Sequence, residues 1–303
     1  MKKIWRVIDL LKTTDQYFSE KGIENPRLNA ELLLGNTMNM NRVELYMAYE
    51  RPLSDNELND FREKVRRRGL FEPLQYITGD TEFMGFPFKV NRNVLIPRPE
   101  TEILVETILE MKNEIGRDAL FLDVGTGSGC IPVSLAKLWP EGKYFALDIS
   151  SEALKVAMDN ARLNHLEALQ YFSGEEYTEQ NGRLLFIEHD IFAEKMPHIM
   201  QNITVLISNP PYIAIDEMST LPAEVRDYEP AVSLTDNSNG LSFYRRLFDM
   251  AAGDYFPGLK YLFLEMSGSQ PNKIVQLAAE YKFNNIEIRK DLTGIERVLI
   301  IRI

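Results

Sequence analysis

The residues with the clearest chemical content are Ser208-Asn209-Pro210-Pro211-Tyr212. Asn209 offers a side-chain carbonyl and Pro210 a backbone carbonyl, so the pair can accept both hydrogens of one planar amino group. Pro211 biases Pro210 towards an extended conformation, and each ring fixes its own φ, so the second acceptor is in place before anything binds. Tyr212 adds a flat face on which a planar group can stack. Together they would hold a conjugated NH2 by its hydrogens with the nitrogen turned towards a reagent, which is what methylation of an amino group requires. The plainer reading is a turn, since Asn-Pro and Pro-Pro are common turn punctuation.

A second constellation is Asp123-Val124-Gly125-Thr126-Gly127-Ser128-Gly129, set between a predicted strand and a predicted helix. Its glycines let a ligand approach the backbone closely. Asp148 ends the next strand about 20 residues further on, the position from which an acid takes a ribose hydroxyl in nucleotide-binding α/β folds. A dinucleotide fingerprint has the spacing G-x-G-x-x-G, whereas the spacing here is G-x-G-x-G, a smaller cradle for pyrophosphate. A nucleoside without phosphates fits better, and S-adenosylmethionine is the common one. Its sulfonium would sit favourably beside Asp123. Asp190, after the third strand, is placed to accept from an adenine amino group, with Ile191 against the ring. Cys130 reads as a small buried residue, and His165, His189 and His198 lack the spacing of a metal site.

These residues need strand ends to position them. Ile203 to Ile207 is a β-branched, apolar run that reads as a buried strand, so the Asn-Pro-Pro-Tyr motif falls at its end, where open α/β sheets bind ligands. Strands are expected also over 119–124, 143–147, 184–187, 261–265, 285–288 and 298–303, and helices over 130–138, 151–163, 241–252 and 271–281. The alternation predicts a mostly parallel, doubly wound sheet. The polar stretch 167–183 reads as an irregular excursion. Ahead of the sheet, residues 1–72 show helical spacing, as in Ile4, Val7, Ile8 and Leu11, and predict a small all-helical domain. Residues 73–96 have β texture around Gly79 and Gly85 and predict a hairpin linker. Residues 97–303 form the catalytic domain.

A hydrophobic share of 45% and a charged share of 26% are those of an ordinary globular protein. No apolar run has the length of a membrane span, and the first residues lack a secretory pattern. With Cys130 the only cysteine, intrachain disulfides and cysteine-based metal clusters are excluded, and a cytoplasmic location is expected. The net charge of −11 is uneven. Residues 1–72 carry 13 basic and 12 acidic side chains, and the remainder 21 against 33. An acidic catalytic domain argues against broad binding to nucleic-acid phosphates. Lys64, Arg66, Arg67 and Arg68 suit a helix C-terminus.

The chain resembles the PrmC/HemK family of protein-glutamine N5-methyltransferases. The resemblance rests on Pro73 to Gly79 (PLQYITG), Ile96 to Glu102 (IPRPETE), the Gly125 to Gly129 loop, Asn209 to Ile213 (NPPYI), Tyr228 to Ala231 (YEPA) and Gly294 to Val298 (GIERV). Asn-Pro-Pro-Tyr alone is shared with nucleic-acid amino methyltransferases; the Pro-Arg-Pro-Glu-Thr-Glu stretch is more specific. The resemblance implies a class I, Rossmann-like methyltransferase domain of seven strands with an antiparallel last strand, after a helical domain that grips the substrate. It implies methyl transfer from S-adenosylmethionine, leaving S-adenosylhomocysteine, to the glutamine of the Gly-Gly-Gln loop of class 1 peptide chain release factors. By the same carry-over Gly125, Thr126, Gly127, Ser128, Gly129, Asp148 and Ile191 bind the donor, and Asp190, from its place after the third strand, and Asn209 are expected to join them. Asn209 and Pro210 act in catalysis, and Asn209, Pro210, Pro211 and Tyr212 hold the amide. The chain departs from the family pattern in the length of 167–183 and in Ile191, where an aromatic often covers the adenine. The alternatives are an adenine or guanine amino methyltransferase, which would grip the same planar NH2, and a non-catalytic nucleoside-binding module.

Overall fold

The computed structural model describes residues 4–171, 183–266 and 270–303. It divides the chain into two compact units, one of residues 1–80 with 222–228 and one of residues 81–221 with 229–303.

The first unit is built from α1 (Val7–Glu20), α2 (Pro26–Met38), α3 (Arg42–Met47), α4 (Asp55–Arg68) and α5 (Leu74–Thr78). Their apolar faces close over Leu11, Phe18, Leu33, Leu34 and Phe61. Ser54 and Glu57 cap α4 reciprocally, each side chain holding the other's backbone N–H. The basic run at the end of α4 is consumed within the unit: Lys64 pairs with Asp60, Arg66 with Glu63 and Arg67 with Glu72. Buried Arg68 reaches Asn29 at 2.8 Å and Glu224 at 2.8 Å. The segment 222–228 therefore belongs with the helices, and Tyr228 adds a bond from its hydroxyl to the Leu70 carbonyl at 2.7 Å.

The second unit opens on the hairpin β1 (Asp80–Phe83) and β2 (Phe86–Lys89). Its turn residues Met84 and Gly85 both have positive φ, 54° and 74°, as a tight two-residue hairpin turn requires. Then follow α6 (Pro99–Glu110), α7 (Lys112–Ile115), β3 (Leu120–Val124), α8 (Cys130–Leu138), β4 (Lys143–Asp148), α9 (Ser151–Leu163), β5 (Ala168–Tyr171), β6 (Leu184–Glu188) and β7 (Val205–Ser208). After β7 come α10 (Ala223–Arg226), which sits in the first unit, and α11 (Ser242–Ala252), β8 (Tyr261–Glu265), α12 (Pro271–Glu280), β9 (Ile286–Lys290) and β10 (Glu296–Arg302).

The sheet order is β5-β6-β4-β3-β7-β8-β10-β9, and β10 runs antiparallel to both neighbours. Period-two alternation sends Phe121, Tyr144 and Phe186 into one core layer and Leu122, Phe145 and Leu185 into the other. From β3 the chain first winds one way to β4 and later returns on the other side as β7, which leaves a crevice at the C-terminal ends of β3 and β7.

The sheet has eight strands where seven were expected, because β5 lies inside the stretch read as an excursion. It is an edge strand of partly exposed residues, so it lacks the apolar run that marks a buried strand. Residues 172–182 lie outside the described residues.

One buried side chain ties the hairpin to the sheet. Asn160 of α9 accepts from the Lys89 N–H at 2.6 Å and donates to the carbonyls of Lys89 at 3.0 Å and Ser128 at 2.9 Å. Asn160→Ala strands a backbone N–H and two carbonyls, so it is expected to lower stability by about 1–3 kcal/mol. Urea unfolding of both proteins checks this; an unchanged midpoint would mean that water replaces the amide without cost.

Candidate active site

A cavity of about 350 Å³ opens in the crevice between β3 and β7. Val124 to Ser128, Asp148, Asp190, Ile191 and Asn209 to Pro211 all line it. The glycine loop is fastened to the neighbouring strand, because the N–H groups of Gly125 and Thr126 both donate to the Leu147 carbonyl, at 2.8 and 3.0 Å. A Cβ added at Gly125 or Gly127 would meet nothing within 4 Å, so the cradle is open. Gly129 does not line the cavity. It has φ +77°, and a Cβ there would come within 2.9 Å of the Ala157 side chain, so it serves the contact between loop and α9. Asp148 is held at both oxygens, by the Gly127 N–H at 2.8 Å and the Ser150 N–H at 2.9 Å. Each oxygen keeps a further lone pair for a ligand hydroxyl.

The electrostatics are acidic. Asp123 is 2% exposed, and neither carboxyl oxygen has a hydrogen-bond partner among the described residues. Burial pushes it up to about 7, the Thr126 hydroxyl opposes the rise, and the charge of Asp148 adds to it. Burial also raises Asp148, against its backbone hydrogen bonds. Arg98 lines the same cavity, but its guanidinium is bonded to both oxygens of buried Glu229, at 2.6 and 2.8 Å. Asp123 itself does not line the cavity; the desolvated carboxylate that does is Asp148, which suits a cationic ligand. Burial pushes the Cys130 thiol up to about 12, so it is not a nucleophile. Among the described residues no group of three or more His, Cys, Asp and Glu is arranged to hold a metal ion.

Asp190 is exposed, and its Oδ1 accepts from the Phe192 N–H at 2.9 Å. Ile191 is buried, and Phe192 stands half exposed beside it, edge-on to Phe243 at 5.1 Å. Both rings line the cavity, and they supply the aromatic wall that Ile191 lacks. Arg246 of α11 fixes this wall by donating to the carbonyls of Ile191 and Ala193. The sequence signal for Phe192 was its place next to Ile191; Phe243 carries none.

At the end of β7, Ser208 donates to the Val124 carbonyl at 2.7 Å, which joins the two strand ends that frame the site. Asn209 Nδ2 donates to Oγ1 of buried Thr101 at 3.1 Å, and Oδ1 has no partner among the described residues. Tyr212 does not line the cavity. Its ring packs against the second core layer, and its carbonyl accepts from Gln270 at 2.7 Å.

Thr101 belongs to a first helical turn in which each polar side chain has a distant partner. Arg98 binds Glu229, Glu100 lies 3.7 Å from Arg297, Thr101 binds Asn209, and Glu102 accepts from the Met84 N–H in the hairpin turn at 2.6 Å. Sequence reasoning marked these segments as separate motifs and missed Thr101 as a partner of Asn209.

The PrmC N-terminal domain matches residues 9–79, and the ribosomal protein L11 methyltransferase (PrmA) family matches residues 99–216. The release factor glutamine methyltransferase of Chlorobaculum tepidum is 36% identical over 98% of this chain and 97% of its own length. That of Geobacter sulfurreducens is 36% identical over 98% of this chain and 96% of its own. Among solved structures, the hMettl16 catalytic domain in complex with a MAT2A 3′UTR hairpin covers 83% of this chain and 84% of its own, with TM-score 0.52 and 12% identity, a likeness of fold.

Asp123 makes stability depend on pH. Its folded value lies above that of an unfolded aspartate, so the folded state binds the proton more tightly between about pH 4 and pH 7. Stability from this group is full below that window and falls as pH rises through it. Asp123→Asn is expected to flatten the decline, leaving the shares that come from Asp148, which burial also raises, and from Glu265, which burial pushes up to about 7. Urea midpoints at pH 5 and pH 8 check it; equal declines in both proteins would refute the assignment.

Proposed function

This chain belongs to the release factor glutamine methyltransferase family, and we propose from that membership that it methylates the side-chain amide nitrogen of glutamine in the Gly-Gly-Gln motif of class 1 peptide chain release factors. The observation that carries the reading is the convergence of the glycine loop, Asp148 and the Asn-Pro-Pro motif on one acidic cavity. S-adenosylmethionine would supply an electrophilic methyl group on a sulfonium and leave as S-adenosylhomocysteine. Gly125 to Ser128 would hold its backbone-facing side, Asp148 its ribose hydroxyls, and Asp190, Ile191 and Phe192 its adenine. The desolvated Asp148 carboxylate, which lines the cavity, favours a ligand that carries positive charge.

An amide nitrogen is a weak nucleophile because its lone pair is delocalised into the carbonyl. Asn209 Oδ1 and the Pro210 carbonyl accept its two N–H groups, orient the nitrogen, and stabilise positive charge that develops only as the new bond forms. The N-alkylated, protonated amide is itself a strong acid, so no strong base is required. A nucleic-acid amino group would fit the same two acceptors. The family membership and the acidity of the catalytic part favour a protein substrate.

Residues 1–72 would then grip the release factor and 97–303 would form the catalytic part, whereas the expected hairpin linker 73–96 holds the hairpin only over 80–89, its start being the helix α5 (Leu74–Thr78) of the first unit; a substrate of translation fits a cytoplasmic site of action. A chain lacking residues 1–72 should bind the donor nearly as the whole chain does and fail on folded release factor. Full-rate transfer by that chain would remove the assignment.

The direct test offers purified release factor and labelled donor and looks for one methyl on the motif glutamine by mass spectrometry. No methyl on that protein, or label in nucleic acid alone, would overturn the reading. Asn209→Ala should lower single-turnover transfer by roughly a hundredfold or more, with a smaller loss in donor affinity. Asp148→Ala should weaken donor binding by about 1–3 kcal/mol in calorimetry.

A further inference from the structure

We propose that the turn between β9 and β10, residues 291–295, is a docking element for the folded release factor, with Leu292 as its contact residue and Ile295 beside it. The inference deepens the proposed function and rests on it: the partner is the body of the protein whose glutamine enters the cavity.

Strand register places the turn at the end of the sheet where the cavity opens. Ser208, the last residue of β7, pairs with Leu264 of β8, and Leu264 pairs with Leu299 of β10. Because β10 is antiparallel to β8, stepping back from Leu299 to Ile295 runs the same way as stepping forward from Ser208 into Asn209 and Pro210. Only β8 separates β7 from β10, which sets the two strands about 10 Å apart across the sheet. A side chain makes the same connection: Arg297 lies 3.7 Å from Glu100, whose neighbours Arg98 and Thr101 line the cavity.

The turn is held far more firmly than an exposed hairpin needs. Asp291 Oδ1 accepts from the Thr293 N–H at 2.9 Å, the Thr293 hydroxyl at 2.6 Å and the Ile295 N–H at 2.9 Å, and Oδ2 accepts from Arg297 at 2.8 Å. The Asp291 N–H donates to the Ile295 carbonyl at 2.8 Å, and the Gly294 N–H donates to the Asp291 carbonyl at 3.0 Å with Gly294 at φ +87°. None of these bonds uses the Leu292 side chain, which is 108% exposed, as open as in an unfolded chain; Ile295 is 45% exposed. The turn would form equally well with a polar residue at 292. None of Gly294 to Val298 lines the cavity, so the role of that motif is to build the turn through Gly294 and Arg297.

Single exposed apolar side chains are ordinary on protein surfaces, and Ile303 at the far end of β10 is one. Leu292 differs in place and in rigidity. A cavity of about 350 Å³ admits a loop and a methyl donor, so the rest of the release factor stays outside, against this end of the sheet. A standard interface covers about 800 Å² on each partner, a disc of roughly 16 Å radius, which is wide enough to include a turn rising two strands from the motif. An apolar side chain on a backbone already fixed loses little freedom when a partner covers it, which is what an anchor requires.

The test uses full-length enzyme, folded release factor and labelled donor. Leu292→Ala should raise KM for release factor by about fivefold and Leu292→Asp by roughly tenfold or more, with kcat at saturation, donor affinity and melting temperature close to wild type. Leu292→Met, apolar and of similar volume, should keep KM near the wild-type value. Ile303→Asp puts the same charge at the opposite end of β10 and should leave KM unchanged. If the wild type methylates release factor and Leu292→Asp does so with unchanged KM, the docking element is refuted and the proposed reaction stands. An equal rise in KM from Ile303→Asp would trace the effect to surface charge and refute it as well. If the wild type transfers no methyl to release factor, the functional reading fails, and the docking element with it.

Discussion

The first turn of α6 is the constraint on which the site depends. Its side chains reach outward to segments that are remote in sequence. Asn209 lies 108 residues from Thr101, and Glu229 lies 131 residues from Arg98. The rigid unit is the helix, and the loops around the cavity take their positions from it. The Arg98 pair with Glu229, 33% and 2% exposed, contributes little net stability once desolvation is counted. It restricts the conformations open to the segment after the Asn-Pro-Pro motif, because a buried carboxylate separated from its guanidinium would be costly.

Two buried acids stand outside the cavity lining. Asp123 and Glu265 are both buried and lack full partners, which is unfavourable for a fold with nothing bound. The uneven charge of the sequence has a local counterpart here: the excess of acids falls in the part of the chain that forms the sheet.

Much of this was legible before any coordinates. The glycine loop, Asp148, Asp190 and Asn209 are readable because each falls directly after an apolar strand, and a strand end fixes a residue's place in an open sheet whatever the surface does. The eighth strand was not legible, since β5 is an edge strand with no buried run. Thr101 was missed for a different reason. Its residue type is unremarkable in a helix, and its function comes from a partner that only the crossover from β3 to β7 brings near. Phe192 and Phe243 meet across a loop and a helix in the same way, so no local pattern announces the aromatic wall.

The Asn-Pro-Pro-Tyr motif itself divides between two tasks, and the division explains why its residues are consecutive. Asn209 to Pro211 line the cavity, whereas Tyr212 turns its ring into the core and its carbonyl towards Gln270. Gly240 closes over that carbonyl so tightly that a Cβ would lie 2.1 Å from it. Asp236 in turn holds the Gly240 N–H at 2.9 Å and the Ser242 N–H at 2.9 Å, which fastens this loop to the start of α11. The two prolines remove backbone donors and fix φ, so the strand cannot continue and the chain must leave the sheet. Anchoring the residue after them at both ring and carbonyl transmits that rigidity back to the Pro210 carbonyl. An acceptor held from both sides would lose little entropy on binding an amide, and in the proposed reaction that preorganisation is what would let neutral carbonyls act on a nitrogen as weakly nucleophilic as an amide's.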